Sequence, residues 1–347
     1  MRFITWFIFA VTLVLYGSVY ISPEYFRYVG LLPFFIPVIL LLNLFLLVIL
    51  VLSWRKLAFL PLLVLLIGYK FFLATFQIHP KNEVEEGLKV LSYNAHMFYY
   101  KPKSETTPES NVLSWLQEQP ADVKVFQEFY QDNTTPSRDA LKILGKNSNY
   151  KVSYHIIDGS MKKRSNGLAI FSKHPIINDG KVFDAQGTNG AIFADILVKS
   201  DTIRIYNAHL ESMRIDSDGL ENLEGVKENY RQTLGKLQRG SLARTKQLKV
   251  LLEHMKNSPH PLILLGDLNE IPYSYTYFKL GETYDNAFEK AGRGFGFTYN
   301  RILFFLRIDH IFSSKSLQAV EFKTHREVDY SDHYPISATF RWEGFGQ

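Results

Sequence analysis

The sequence predicts an α+β fold: two packed sheets with helices outside them, preceded by a helical transmembrane region. Three observations carry this. The first 79 residues hold three long apolar stretches and almost no charge. From residue 88 onward, short apolar or alternating runs recur between turn signals, which is the pattern of strands, with few stretches at helical spacing. Several of those runs stop on a carboxylate, an amide or an imidazole, residue types that packing alone does not call for.

Residues 1–79 read as three transmembrane helices, at about 3–20, 31–52 and 57–76. Leu31–Leu52 carries no charge, is long enough for the ~20 helical residues that cross a bilayer, and has no polar face for water. Leu57–Phe76 is also long enough, with Lys70 near its far end, where the flexible stem lets the ammonium reach the headgroups. Phe3–Tyr20 is marginal in length; its alternative is a cleaved signal peptide, but no small-x-small cleavage site follows and the run is long for a signal core. Arg2 and Trp54-Arg55-Lys56 place positive charge on the cytoplasmic side. Three crossings then leave residue 80 onward on the extracytoplasmic face of a multi-pass membrane protein, and loss of the first as a signal peptide keeps it there.

Residues 80–87 form a polar linker, and residues 88–347 the soluble domain. Leu88–Asn94 alternates like a strand and stops at Asn94. Glu109–Gln119 sets Val112, Leu113 and Leu116 at helical spacing, and Pro120 ends it. Asp122–Glu128 is a second strand with Glu128 at its end, Tyr150–Ile157 a third, and Asn166–Ser172 a fourth, entered from Lys162-Lys163-Arg164. Gly190–Val198 pairs with Thr202–Asn207 around a turn at Lys199–Asp201, and this strand runs into Asn207-Ala208-His209. Residues 211–240 are charged and poor in apolar residues, a surface insertion or the approach to a helix over Leu242–Met255. The apolar run Pro261–Leu265 is a buried strand delivering Gly266-Asp267-Leu268-Asn269, and a short helix follows near Tyr275–Leu280. Phe297-Thr298-Tyr299 leads to the apolar Ile302–Leu306, Arg307–Phe312 is a strand, and Tyr330–Pro335 precedes the last strand, Ile336–Phe340.

Six strand ends therefore carry the same chemistry: Asn94, Glu128, Asn207 with His209, Asp267 with Asn269, Asp309, and Asp332 with His333. Converging carboxylates repel and need a cation or a shared proton to coexist. A few acids among neutral amides suits a magnesium ion that keeps water and meets a substrate phosphate. The composition narrows the alternatives. There is no cysteine, which excludes disulfides, zinc thiolate sites and a cysteine nucleophile. The net charge of +5 resides mainly in residues 1–79, with five Lys/Arg against one acid; residues 80–347 keep 34 basic and 33 acidic residues, a net of +1. The high isoelectric point is thus no sign of a nucleic-acid-gripping domain, which needs clustered positive charge.

Taken in order, Ser92-Tyr93-Asn94, Phe126-Gln127-Glu128, Asn166 to Ser172, Asn207-Ala208-His209-Leu210, Gly266-Asp267-Leu268-Asn269, Arg307-Ile308-Asp309-His310-Ile311 and Ser331-Asp332-His333-Tyr334-Pro335 resemble the endonuclease/exonuclease/phosphatase superfamily. That group includes pancreatic deoxyribonuclease, exonuclease III, neutral sphingomyelinases and inositol polyphosphate 5-phosphatases. The resemblance spans about residues 88–341 and implies a four-layer α/β/β/α sandwich of two mixed sheets. It implies Mg²⁺ as cofactor, with Mn²⁺ able to substitute. Glu128 would be the main metal ligand, Asn94 would help hold metal or phosphate, and Asp332 would be a second metal or water contact. His333 would be general base or stabilise the pentacoordinate phosphorus, oriented by Asp309. Asp267 would align or deprotonate the attacking water, with the choice of base between Asp267 and His333 open. Asn269 would contact the phosphate and His209 would donate to it. Asn166, Asn207 and Thr298 complete the expected phosphate contacts. His96 and most other histidines read as surface or core residues, and His310 alternates to the other face of its strand.

The reaction so implied is attack of water on phosphorus in a phosphodiester or phosphomonoester. Such chemistry does not fix the substrate. A membrane-anchored phosphoesterase acting on a lipid or small-molecule phosphoester fits the anchor, the near-neutral domain and the apolar Ile302-Leu303-Phe304-Phe305-Leu306. The alternative is an extracytoplasmic metal-dependent endonuclease or exonuclease, with Lys162-Lys163-Arg164 and basic positions from Lys227 to Lys249 tracking a phosphate backbone. A catalytically silent scaffold is a third reading, disfavoured because every catalytic position is filled. The bilayer and the phosphoester are the partners implied, with no obligate protein partner.

Overall fold

Strands buried on both faces explain the architecture. The computed structural model describes residues 2–80, 86–98, 110–185, 187–212, 223–301 and 303–343. The chain forms two compact units: Met1–Phe76 with Met213–Thr245 and Glu270–Glu282, and Gln77–Ser212 with Lys246–Asn269 and Thr283–Gln347.

The first unit holds helices α1 (Arg2–Ser18), α2 (Ile36–Leu52), α3 (Phe59–Ile67) and α4 (Tyr69–Thr75). A 3₁₀ turn over Val29–Phe35 runs into α2, and the joint stretch Val29–Leu52 is strongly apolar with most of its residues not buried. Among the described residues it is the one helix long and apolar enough to cross a membrane. The third expected span, Leu57–Phe76, is not continuous: α3 and α4 meet at Gly68 with a bend of 56°. α1 has 17 residues, short of the ~20 that a crossing takes. A buried hydrogen bond of 2.8 Å from Asn43 Nδ2 to Thr12 Oγ1 ties α2 to α1 where apolar packing alone gives little specificity. The apolar helices do not pack by themselves. Phe71 and Tyr20 set their rings 5.1 and 5.6 Å from Phe278 of α7 (Tyr275–Gly281), and Thr75 Oγ1 lies 2.7 Å from the Tyr273 hydroxyl.

The second unit carries the strands. These are β1 (Gln77–Ile78), β2 (Leu88–Asn94), β3 (Val123–Asp132), β4 (Lys151–Gly159), β5 (Arg164–Ser172), β6 (Ile176–Asp184), β7 (Gly190–Val198) and β8 (Asp201–His209). They continue with β9 (Leu262–Asp267), β10 (Asp285–Asn286), β11 (Arg293–Gly294), β12 (Asp309–Ser313), β13 (Gln318–Thr324) and β14 (Ile336–Arg341). One six-stranded sheet has the order β10-β12-β9-β8-β7-β6 and the other β13-β14-β2-β3-β5-β4. Both are mixed, because β8–β9 and β2–β3 are parallel and their other pairs antiparallel. Alternation explains the layers. Leu88 and Val90 of β2, Val123 and Val125 of β3, and Leu168 and Ile170 of β5 face the core between the sheets. Their neighbours Leu91, Tyr93, Phe126, Ala169 and Phe171 face outward against Val112, Leu113 and Leu116 of α5 (Ser110–Glu118). On the other sheet, α6 (Leu223–Lys256) buries Leu248, Leu251, Leu252 and Met255, and the Tyr206 hydroxyl of β8 lies 2.8 Å from His254 Nδ1. With α8 (Ala287–Ala291) these helices complete the two-sheet sandwich expected from the sequence.

Two expectations change. α6 begins at Leu223 rather than Leu242, so much of the charged stretch is helix, and residues 213–222 lie outside the described residues. β3 continues past Glu128 to Asp132. In the apolar run before β12, Leu303–Phe305 form a turn with Phe304 and Phe305 exposed, and Ile302 lies outside the described residues. Part of the expected linker, residues 81–85, also lies outside them.

Candidate active site

The parallel run of β8 beside β9 brings His209 level with Asp267, and the antiparallel register of β12 sets Asp309 opposite Asp267. Gly266 makes that approach possible. Its φ of +145° lies where side chains are rarely tolerated, and a Cβ there would fall 1.9 Å from the Ala208 carbonyl oxygen. On the facing sheet, β2 ends at Asn94, and the loop before β14 carries Asp332 and His333. Glu128 is presented by a break in register between Phe126 and Phe129, with φ +49°; an extra residue in a strand re-aims a side chain in this way. Asn269 is likewise left-handed, at φ +50°. Both sit in a conformation that side chains adopt at a cost, held by the surrounding packing.

Asp267 is the hub. It is fully buried, and its Oδ2 accepts a 3.0 Å hydrogen bond from Asn94 Nδ2 and lies 3.5 Å from His209 Nε2 and 3.6 Å from His333 Nε2. Its Oδ1 accepts the Asn269 backbone N–H at 2.9 Å. His333 Nδ1 lies 2.8 Å from Asp309 Oδ2, so each nitrogen of this imidazole faces a carboxylate. Burial pushes the His333 imidazole down, but the charges of Asp309 and Asp267 outweigh it and hold the ring well above its ordinary value. Burial pushes Asp309 up, against the lowering pull of His333. His209 Nδ1 lies 3.1 Å from the Thr188 carbonyl oxygen and donates to it, so Nε2 can donate to a phosphate only when the ring carries both protons.

A more open half adjoins this. Among the described residues Glu128 accepts no hydrogen bond; its nearest ionic neighbour is His209 Nε2 at 4.0 Å. Asp332 Oδ1 lies 3.1 Å from His96 Nδ1, and the His96 backbone N–H donates to Asn94 Oδ1 at 3.2 Å. Burial would raise Asp332, but the His96 hydrogen bond and the charge of His333 hold it well below the usual carboxylate range. His96 is raised, first by its hydrogen bond to Asp332, and it also feels Glu128. Nearby, Asn166 Oδ1 is buried with no partner.

Two expected phosphate contacts do not reach the site. Asn207 is fully buried and its amide is already used: Nδ2 donates to the carbonyls of Phe126 (2.8 Å) and Ala169 (3.0 Å), and Oδ1 accepts from Gln127 Nε2 (2.6 Å). It clamps one sheet to the other. Thr298 is also buried, its hydroxyl oxygen accepting the Ile308 and Asp309 backbone N–H groups at 3.1 and 3.2 Å; it positions Asp309 from behind. Sequence reasoning missed His96, taken for a surface or core residue, and Tyr299, whose ring stands edge-on to His333 at 5.5 Å. It also missed Ser331, whose hydroxyl donates to the Asn94 carbonyl at 2.8 Å and accepts the His333 N–H at 3.2 Å.

A family model described as Endonuclease/Exonuclease/phosphatase family matches residues 91–333. The chain belongs to the endonuclease/exonuclease/phosphatase family. Like the family, it is a metal-dependent phosphoric ester hydrolase. Residues 1–75 match a second model, described as a domain of unknown function (DUF8431). Solved structures sharing the fold include an endonuclease/exonuclease/phosphatase from Beutenbergia cavernae, at 16% identity over 75% of this chain and 73% of that one, TM-score 0.53. The human Nocturnin catalytic domain with bound sulfate gives 16% identity over 76% and 96%, TM-score 0.53. A humanized D. rerio TDP2 gives 18% over 73% and 98%, TM-score 0.50. No curated protein matches the sequence.

The donor set fits a divalent metal. Asp267, Asp309 and His333 bring ligand atoms within 4.8 Å of one another, but His333 Nδ1 is bonded to Asp309 and the group is closed on itself as a hydrogen-bonded relay. The Glu128 carboxylate, Asp332 and the second lone pair of Asn94 Oδ1 offer oxygen alone, the chemistry a hard cation takes.

Proposed function

We propose that this family member is a bilayer-tethered, Mg²⁺-dependent phosphoesterase acting on a lipid or lipid-linked phosphoester. The observation that carries the chemistry is the Asp309–His333–Asp267 relay beside Glu128, whose one ion pair among the described residues is a long contact of 4.0 Å to His209. Glu128, Asp332 and the Asn94 amide oxygen would hold Mg²⁺, with Mn²⁺ able to replace it, and the ion supplies charge neutralisation and polarisation of a phosphoryl oxygen. Asp267 accepts the proton of the attacking water, because His333, flanked by two carboxylates, is arranged to donate rather than to accept. His333 and His209 stabilise the charge that develops on phosphorus, and Asn166 and Asn269 orient the phosphate. Asp309 and Thr298 position His333.

Two observations support a lipid over a nucleic acid. The chain carries the span-length apolar helix Val29–Leu52. The basic residues expected to track a backbone are partly committed: Arg164 pairs with Asp132 at 3.1 Å, and Arg244, itself buried, with Glu270 at 2.8 Å. Helix α1, Val29–Leu52 and the bent pair α3–α4 would together cross the bilayer and present residues 77–347 outside the cytoplasm, with Arg2, Arg55 and Lys56 inside. This topology needs the bent pair to complete a crossing. Protection of the domain from protease in intact spheroplasts overturns it.

The full chain in nanodiscs with Mg²⁺ should hydrolyse a sphingomyelin-type diester or a lipid phosphomonoester faster than plasmid DNA or RNA. Rapid Mg²⁺-dependent DNA cleavage that disappears in His333→Ala would replace the lipid reading by a nuclease.

A further inference from the structure

Exposed apolar side chains recur along the segments that lead from β1 and β11 to the rim of the catalytic centre. α4 ends at Thr75, and Ile78, at most about 10 Å of chain further on, already pairs with Arg293 in the two-stranded β1–β11 ladder. Beyond β11 the chain rises through Phe295 and Phe297, whose rings stack at 5.1 Å, to Thr298 and Tyr299. It turns over Leu303–Phe305 and returns, the N–H groups of Thr298 and Tyr299 both bonding the Leu306 carbonyl at 2.9 and 3.2 Å. Arg307 Nη1 reaches back to the Phe295 carbonyl at 3.5 Å and closes the segment. Tyr299 also bridges by its backbone to His333. Four large apolar side chains on these segments face solvent: Ile78 (81% exposed), Phe304 (64%), Phe305 (52%) and Phe295 (46%). Phe304 and Phe305 pack edge to face at 5.8 Å. Beneath Phe295 lies a cavity of about 440 Å³ whose wall includes Pro80, Arg293, Lys323 and Arg326, with Glu321 as its one acid.

Exposed aromatics flanked by basic side chains are the chemistry of a bilayer interface: rings at the acyl boundary, cations against anionic headgroups. A protein partner would be matched by the same aromatics, but the leash through Ile78 to an apolar helical region makes a bilayer surface the occupant at hand. We propose that residues 293–301 and 303–307 act as a bilayer-docking loop. Phe304 and Phe305 seat in the interface, Arg293 and Arg326 meet headgroup phosphates, and the backbone bridge to His333 sets the catalytic centre at headgroup depth. The inference deepens the proposed lipid-phosphoesterase reading and rests on it for the substrate, but docking is tested separately.

The absence of native cysteine makes the test direct. Single variants Phe304→Cys and Ser200→Cys, the latter in the turn after β7 away from these segments, are made in the full chain, labelled with an environment-sensitive dye and reconstituted into vesicles containing anionic lipid. Lipid-borne quenchers should quench the label at 304 several-fold more than at 200; equal quenching overturns the proposal. In the double variant Phe304→Ser/Phe305→Ser, hydrolysis of vesicle lipid should fall about tenfold, while turnover of a soluble phosphoester stays unchanged. Equal loss on both substrates overturns docking and assigns the loop to the site itself. A chain quenched at 304 that hydrolyses no lipid phosphoester keeps the docking loop and discards the lipid-substrate reading.

Discussion

The two halves of the site are built by different physics. In the imidazole half, Asp267, Asp309, His209 and His333 are almost wholly buried and each has its partner at hydrogen-bond or ion-pair distance. In the carboxylate half, Glu128 and Asp332 are partly open, Glu128 has no hydrogen bond, and the backbone is left-handed at Glu128 and again through His96, Met97 and Phe98. The first half is complete as folded. The second holds charge and backbone strain that a bound cation would relieve. The contrast shows where preorganisation lies: the histidine–carboxylate relay is built into the core, and the more open carboxylates stand at its edge.

The largest effects should come from breaking the complete half. Asp267→Asn removes the hub and the expected base, and kcat on a good phosphoester substrate should fall about 10³-fold with KM little changed. His333→Gln should cost a similar factor. It should also change the pH dependence of stability in the metal-free protein. His333 is raised in the folded state, so its stabilising contribution is complete below the unfolded value of about 6.5 and is lost as pH rises through the folded value. The gap in Tm between wild type and His333→Gln should therefore be widest near pH 6 and close as the solution is made alkaline. A gap that widens with pH would contradict the relay.

Glu128→Gln probes the open half. Activity should fall about 10²-fold and recover in part at high Mg²⁺. The sharper readout is thermal. A ligand that binds only the folded state stabilises it by mass action, so saturating Mg²⁺ should raise the Tm of wild type by several degrees and leave that of Glu128→Gln nearly unmoved. If the variant responds to Mg²⁺ as wild type does, the cation sits elsewhere, and the Asp267–Asp309–His333 group becomes the candidate.

How much of this contrast could be read from residue order follows the same division. Leu88–Asn94 and Leu262–Asp267 were legible because both faces are buried and the runs are almost wholly apolar or alternating. Strand ends therefore located Asn94 and Asp267, while Asp309 opens a strand that was expected to begin at Arg307. Two of the edge strands, β6 and β13, were not legible. β6 exposes most of Ile176–Asp184 and β13 is only half-buried, so neither bears a core-facing stripe. The bulge at Glu128 is a change of register, which no spacing displays, so the residue was identified but the strand was ended too soon. Asn207 and Thr298 show the opposite failure. Their type suits phosphate, but only the packing of the two sheets reveals that their polar atoms are already taken. His96 follows Asn94 by two residues and nothing in its neighbours marks it; three successive left-handed residues are what turn it toward Asp332.

Thr298→Val tests the line between a phosphate contact and a positioning residue. Losing the hydroxyl strips two buried N–H groups of their acceptor, at a cost of about 1–3 kcal/mol each if unsatisfied, so the Tm should fall clearly. Because the Asp309 backbone shifts with it, kcat should drop several-fold while KM for the phosphoester holds. A rise in KM with unchanged kcat would restore the phosphate contact expected from the sequence.

The smallest effect belongs to His96→Gln, and it decides whether the open half needs a cation of its own. The His96 side chain is 46% exposed, so its pairing with Asp332 is screened by water and contributes little to stability. Gln keeps a donor for Asp332 but not the charge. If the pair only holds the carboxylate in place, the variant should lose about two- to threefold in kcat and keep its Mg²⁺-induced rise in Tm. If the imidazolium stands where the metal binds, removing its charge should strengthen the Mg²⁺ response, because Asp332 and Glu128 would then repel each other without relief. Only the second outcome moves the Mg²⁺ midpoint, which a merely structural histidine would leave in place. A stronger Mg²⁺ response is the result expected from a half-site left open in the fold.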